Sequence, residues 1–142
     1  MIDIENDVFN YVSNAVALAY GDDVYISGEY DDSPASFPAV TIVEADNSAH
    51  DRMRTENIEN AVNVMYEINV YSNRTAGRKT EAKKISDLID SLMLEKGFTR
   101  IMRNQVPNLA NAKIYRIVAR YRAVVGPGNQ DGSFLIYQNN TL

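Results

Sequence analysis

Apolar residues Ile4, Val8, Val12, Ala15 and Leu18 recur at helical spacing with Gly21 behind them, a pattern that predicts an amphipathic helix over residues 3 to 20. Val24, Ile26 and Tyr30 set against Tyr25, Ser27 and Glu29 predict a short strand. Asp31, Asp32, Ser33, Pro34 and Pro38 then mark a turn-rich connection, and a second strand is expected from Ala39 to Ala45. Asp46 to Asn60 carries almost no apolar periodicity, so this stretch is either a long polar loop or the tip of an extended hairpin.

Val62, Val64, Tyr66, Ile68 and Val70 alternate with Asn63, Met65, Glu67, Asn69 and Tyr71, the strongest strand pattern in the chain. Ala82, Ile85, Ile89, Leu92 and Met93 return to helical spacing. Lys96-Gly97-Phe98 closes that helix with a cation, a C′ glycine and an apolar C″ residue. Strands are expected from Phe98 to about Arg103 and from Ile114 to Val124, with the turn formers of 106–111 between them. The order α-β-β-β-α-β-β predicts an α+β fold, with two helices packed on a mainly antiparallel sheet. Residues 1–125 read as one domain. Residues 126–142 read as a Gly-rich linker followed by a short apolar arm containing Phe134, Ile136 and Tyr137.

Composition narrows what such a domain can do. With 142 residues and 45% hydrophobic content the chain can bury a substantial core, and it contains no cysteine, which excludes disulfides, thiolate metal sites and cysteine nucleophiles. The first residues are acidic where a secretory leader would be basic, and no apolar run nears the roughly 18 residues of a membrane span. Synthesis in a cytoplasm, without a membrane partner, is expected. The net charge of −5 argues against general nucleic-acid binding, which needs a basic surface. Its distribution is uneven: residues 1–60 hold thirteen Asp/Glu against two Arg, a net of −11, and residues 61–142 hold six Asp/Glu against twelve Lys/Arg, a net of +6. The halves could neutralise each other within one subunit, or the acidic part of one copy could meet the basic part of the next.

Candidate chemistry is sparse. His50 is the single histidine and sits in the polar stretch, so catalytic triads and multi-histidine metal sites are excluded by count, and it reads as a solvated loop residue. Asp22, Asp23, Asp31 and Asp32 lack calcium-loop spacing and read as solvated turn aspartates. Glu44-Ala-Asp46 could form the paired carboxylates of a small metal-dependent nuclease, the distant alternative, but no lysine or phosphate-binding pattern accompanies them. No nucleotide-binding glycine motif is present, and no cofactor, metal or enzymatic activity is expected. Arg74, Arg78, Lys79, Lys83 and Lys84 lead into the second helix, where cations oppose the positive end of the dipole. They read as a solvated face or as a seat for a phosphate or an acidic partner.

Met65-Tyr-Glu-Ile-Asn-Val-Tyr-Ser-Asn73, then Lys79-Thr-Glu-Ala-Lys-Lys-Ile-Ser-Asp-Leu-Ile-Asp90, then Gly97-Phe98, resembles the tail terminator and tail completion proteins of long-tailed phages. With Phe37 to Glu44 and the closing Arg-rich strand, the resemblance spans about residues 38 to 124. It implies a structural virion protein in the tail-neck region, forming a homo-oligomeric ring, commonly of six subunits. Such a ring caps the tail tube protein and joins it to the head-tail connector protein, with DNA passing through unbound. Another head-tail connector or tail component of the same particle is the nearest alternative.

A ring needs a head-to-tail contact. Arg116, Arg120 and Arg122 share one face of the last long strand, and arginine's planar fork suits carboxylates. The expected interface therefore joins these arginines to Asp31, Asp32, Glu44 or Asp46 of a neighbouring copy, although ordinary cross-strand pairing would explain the same pattern. Exposed pairs contribute only about 0–1 kcal/mol each, so burial of Phe134, Ile136 and Tyr137 in the arm is expected to supply the rest.

Overall fold

A computed structural model describes residues 2–31, 33–49, 54–55, 58–59, 61–126 and 135–137, with backbone alone at 54–55, 58–59 and 135–137. The described elements are α1 (Glu5–Tyr20), β1 (Tyr25–Ser27), β2 (Ala39–Ala49), β3 (Arg54–Thr55), β4 (Ile58–Glu59), β5 (Val62–Ser72), α2 (Arg78–Glu95), β6 (Thr99–Gln105), β7 (Tyr115–Gly126) and β8 (Leu135–Tyr137). This is the α+β fold expected, in the expected order.

The main sheet runs β1-β2-β5-β7-β6, antiparallel except for the β1–β2 pair, and β8 adds to β7 beyond the end of β6. β5 lies at its centre because its alternation gives one fully apolar face. Val62, Val64, Tyr66, Ile68 and Val70 are buried against Val8, Val12 and Val16 of α1 and Ala82, Ile85, Ile89 and Met93 of α2. Both helices lie on this face, and among the described residues no helix covers the other face of the sheet.

α2 ends as its sequence requires. Gly97 has φ of 98°, Phe98 N–H donates to Met93 O at 3.1 Å and Gly97 N–H donates to Leu94 O at 3.0 Å, the Schellman pair. Phe98 is thereby turned into the core, edge-on to Tyr66 with ring centroids 5.9 Å apart.

The α1 stripe differs from expectation. Val16 is buried and Leu18 is 91% exposed, so the contact runs along every fourth residue, Ile4, Val8, Val12 and Val16. The i±4 row that packs on the sheet drifts away from position 18. Tyr30 lies outside the first strand, which is only three residues long. In the polar stretch, β2 and β5 stay paired out to Ala49↔Val62 and β3 pairs with β4, so its described residues form an extended hairpin rather than a loop. His50 lies outside the described residues.

The sheet has two distinct ends. At one end stand the start of α1, where Asn47 Nδ2 donates to Ile2 O at 3.0 Å, and the long hairpin. At the other stand the end of α1 and the start of α2, with Tyr20 beside Ala76, Gly77 and Thr80.

Candidate subunit interface

A bulge at Ala45 decides where the predicted carboxylates go. Glu44 pairs in register with Tyr66 and so faces the helices, whereas Asp46 pairs with Met65 and faces the open side. Residues two apart on a regular strand share a face; here the extra residue separates them. The convergence of Glu44 and Asp46 that a metal nuclease would need is not formed. Among the described residues no group of three or more His, Asp or Glu is placed to hold a metal ion.

Glu44 sits instead beneath the start of α1, accepting from Asn47 Nδ2 at 3.1 Å and from the Tyr66 hydroxyl at 3.5 Å. Burial, with a hydrogen-bonded Glu5 carboxyl and Asp3 nearby, raises its pKa against the opposing pull of the Asn47 amide. Burial, reinforced by Glu44, pushes the Tyr66 phenol far above the ordinary tyrosine range. Glu44 is therefore occupied within its own subunit and only part-exposed, a correction to its expected role toward a neighbour.

The arginine face follows the cross-strand alternative. Arg120 lies opposite Glu67, and its Nε and Nη2 both reach Glu67 Oε1, at 3.1 and 3.0 Å. Arg116 donates from Nε to Asn69 Oδ1 at 2.9 Å and lies 5.6 Å from the Tyr30 ring centroid and 5.9 Å from that of Tyr71. A small cluster of Ala39, Tyr71 and Ile114, flanked by Tyr25 and Phe37, covers this end of the open face and buries residues that the polar half of the β5 pattern left ambiguous. Burial raises the Tyr71 phenol, with the Arg116 cation opposing. Only Arg122 of the three arginines remains exposed without an ion-pair partner among the described residues, in one cross-strand row with Asp46 and Met65.

Asp31 is half-buried and accepts from its own neighbour Ser33 N–H at 2.9 Å. Asp32 and Phe134 lie outside the described residues. Ile136 and Tyr137 pair with Val125 and Val124 of the same chain, so at the backbone level the arm extends its own sheet.

Sequence reasoning did not resolve where the charge is left over. Between described residues four ion pairs form, Arg74–Glu81, Arg100–Asp90, Arg103–Asp87 and Arg120–Glu67, and every one joins two residues of the basic second half. Of the first half's carboxylates, Asp3, Asp31, Glu44 and Asp46 accept from neutral donors. Among the described residues the uneven charge is thus not cancelled pairwise.

Three of the second half's cations line a cleft of about 530 Å³ between α2 and the β6 edge, formed by Lys79, Lys83, Asp87, Arg103, Asn104, Gln105, Tyr115 and Ile117. Arg103 is held there by Asp87 at 2.6 Å, while Lys79 and Lys83 are exposed and without an ion partner among the described residues. The lysines were visible in the sequence as cations in the first turns of a helix. Arg103 and Gln105 were not, because a bulge at Ile101 sets which β6 side chains turn toward α2.

No helix among the described residues is long and apolar enough to cross a membrane. No protein-family model matches the chain, and no curated protein matches its sequence.

Proposed function

We propose that this chain is a structural subunit that associates head to tail with copies of itself, and that it serves as a tail terminator of a long-tailed phage, closing a ring on the tail tube beneath the head connector. The observation that carries self-association is the pattern of ion pairing: among the described residues every ion pair joins an acid and a cation of the second half, and no carboxylate of the acidic first half is in one. A surplus of each sign on different parts of one surface favours a heterologous contact, and such a contact repeated by rotation closes a ring.

Apolar area for the contact is available on the open sheet face, where Val43, Met65, Met102 and Val124 are part-exposed between the charged rows. The terminator reading rests on the β5–turn–α2–Gly97-Phe98 unit, whose residues carry the resemblance and which folds as one continuous strand, helix and Schellman closure.

Negative-stain imaging of tail tubes incubated with purified protein tests the role. Density capping one end of the tube is the expected result. Tubes with bare ends at saturating protein would remove the terminator assignment.

A further inference from the structure

The sheet puts a cleft carrying two lysines outside any ion pair among the described residues and an exposed acidic pair at the same height on opposite edges. Tyr25, Ala39, Tyr71 and Arg116 form one cross-strand row from β1 across to β7, and Val106 N–H extends it by donating to Arg116 O at 3.0 Å. Just before Tyr25, at the β1 edge, the turn Gly21–Asp23 exposes Asp22 and Asp23, with no ion pair to either among the described residues. Just before Val106, at the β6 edge, lies the cleft of Lys79, Lys83, Arg103 and Gln105. Strands are spaced about 4.8 Å apart, so the two features of one subunit stand roughly 20 Å apart across the sheet and cannot meet within it.

We infer that the cleft binds the Asp22–Asp23 turn of a second copy. This deepens the self-association proposed above and rests on it. Lys79 and Lys83 are four residues apart on one face of α2, which sets their side chains about 5–6 Å from each other, a spacing that adjacent aspartates can bridge. Arg103, already held by Asp87, shapes the floor of the site instead of competing for the ligand. A second acidic group of the first half, Asp3 and Glu5 around Glu44, stands at the hairpin end, away from the level of the cleft.

A nucleic acid fits less well. The two lysines of the cleft, unpaired among the described residues, release few counterions, Asp87 lines the cleft, and the subunit as a whole carries −5. A contact between the β1 edge of one copy and the β6 edge of the next is heterologous, and it places neighbours side by side about an axis along the strands.

The test is sedimentation velocity at low and moderate salt over a concentration series reaching the millimolar range, on the full-length parent, on Lys79→Glu/Lys83→Glu and on Asp22→Lys/Asp23→Lys. Circular dichroism melts serve as the folding control. Each double variant should associate roughly tenfold or more weakly than the parent, because it sets like charges against each other. The equimolar mixture of the two variants should recover association, since every contact in an alternating assembly again joins opposite signs. A parent that associates while both folded variants associate equally well, or a mixture that shows no recovery, overturns the inference and leaves self-association standing. A parent that is monomeric throughout overturns both. Fluorescence anisotropy with a short DNA duplex completes the test: binding by the parent that is lost in the lysine variant would assign the cleft to nucleic acid instead.

Discussion

Two leucine-sized side chains with the same standing in the sequence pattern have opposite standing in the structure, and truncating each gives a sharp comparison. Ile89 is 1% exposed on the inner face of α2, within the core that includes Tyr66, Ile68 and Tyr121; Leu18 is 91% exposed on α1. Ile89→Ala removes about three carbons, worth ~0.8 kcal/mol each in transfer free energy, or roughly 2.4 kcal/mol. A residual cavity of roughly 40–80 Å³ at about 24 cal/mol per Å³ adds about 1–2 kcal/mol, so the expected cost is about 3–4 kcal/mol. Leu18→Ala buries nothing less and exchanges two good helix formers, so it should change stability by under about 0.5 kcal/mol. Urea unfolding followed by circular dichroism, with equal m-values as the condition for comparison, reads both. An Ile89→Ala cost below about 1 kcal/mol, or equal costs for the two variants, would mean that the helices do not present these faces to the sheet.

Glu44→Gln should stabilise the protein at neutral pH. A carboxyl whose folded pKa is raised contributes stability that is present at low pH and lost as pH rises through that pKa; the amide keeps the acceptor oxygen and removes the ionisation, so the gain should shrink toward pH 4. No pH-dependent difference between variant and parent melts would contradict the crowding of Glu44 with Glu5 and Asp3. The phenols of Tyr66 and Tyr121 are raised, the first by burial and Glu44, the second by burial and its hydrogen bond to Asp90 at 2.8 Å, so their contribution should be lost only as pH climbs above the ordinary tyrosine range near 10. Absorbance titration should show part of the 9 tyrosines ionising together with alkaline unfolding, and smooth ionisation of all of them in the folded state would refute their burial. Gly97→Ala forces a Cβ into a backbone with φ of 98° and should cost about 1–2 kcal/mol by thermal melting; a neutral change would indicate another helix ending.

Elements whose physics is local were legible in advance. The β5 alternation, the α2 stripe and the Lys96-Gly97-Phe98 closure each carry their own periodicity or backbone requirement, and each folds where the pattern placed it. What the pattern could not carry was register. The extra residue at Ala45 has no marker in composition, yet it sends Glu44 under α1 and Asp46 to the open face. Likewise, the Arg120–Glu67 pair depends on how β5 and β7 align over 53 residues of sequence separation. Leu18 was misplaced for a different reason, since α1 uses its every-fourth-residue row and two spacings fit the same apolar residues. Of the candidate site, the charge split and the cations at the start of α2 were visible from the start. The strand beside them was expected, but the pairing and bulge that aim Arg103 and Gln105 at them were not.

Self-association in head-to-tail order is the claim on which the functional proposal stands, and native mass spectrometry of the purified chain across concentration tests it most directly. The expected spectrum passes from monomer to a closed species of more than two subunits, six being the number the resemblance implies, and loses that species as salt is raised. A monomer, or a dimer that grows no further at any concentration, would contradict it.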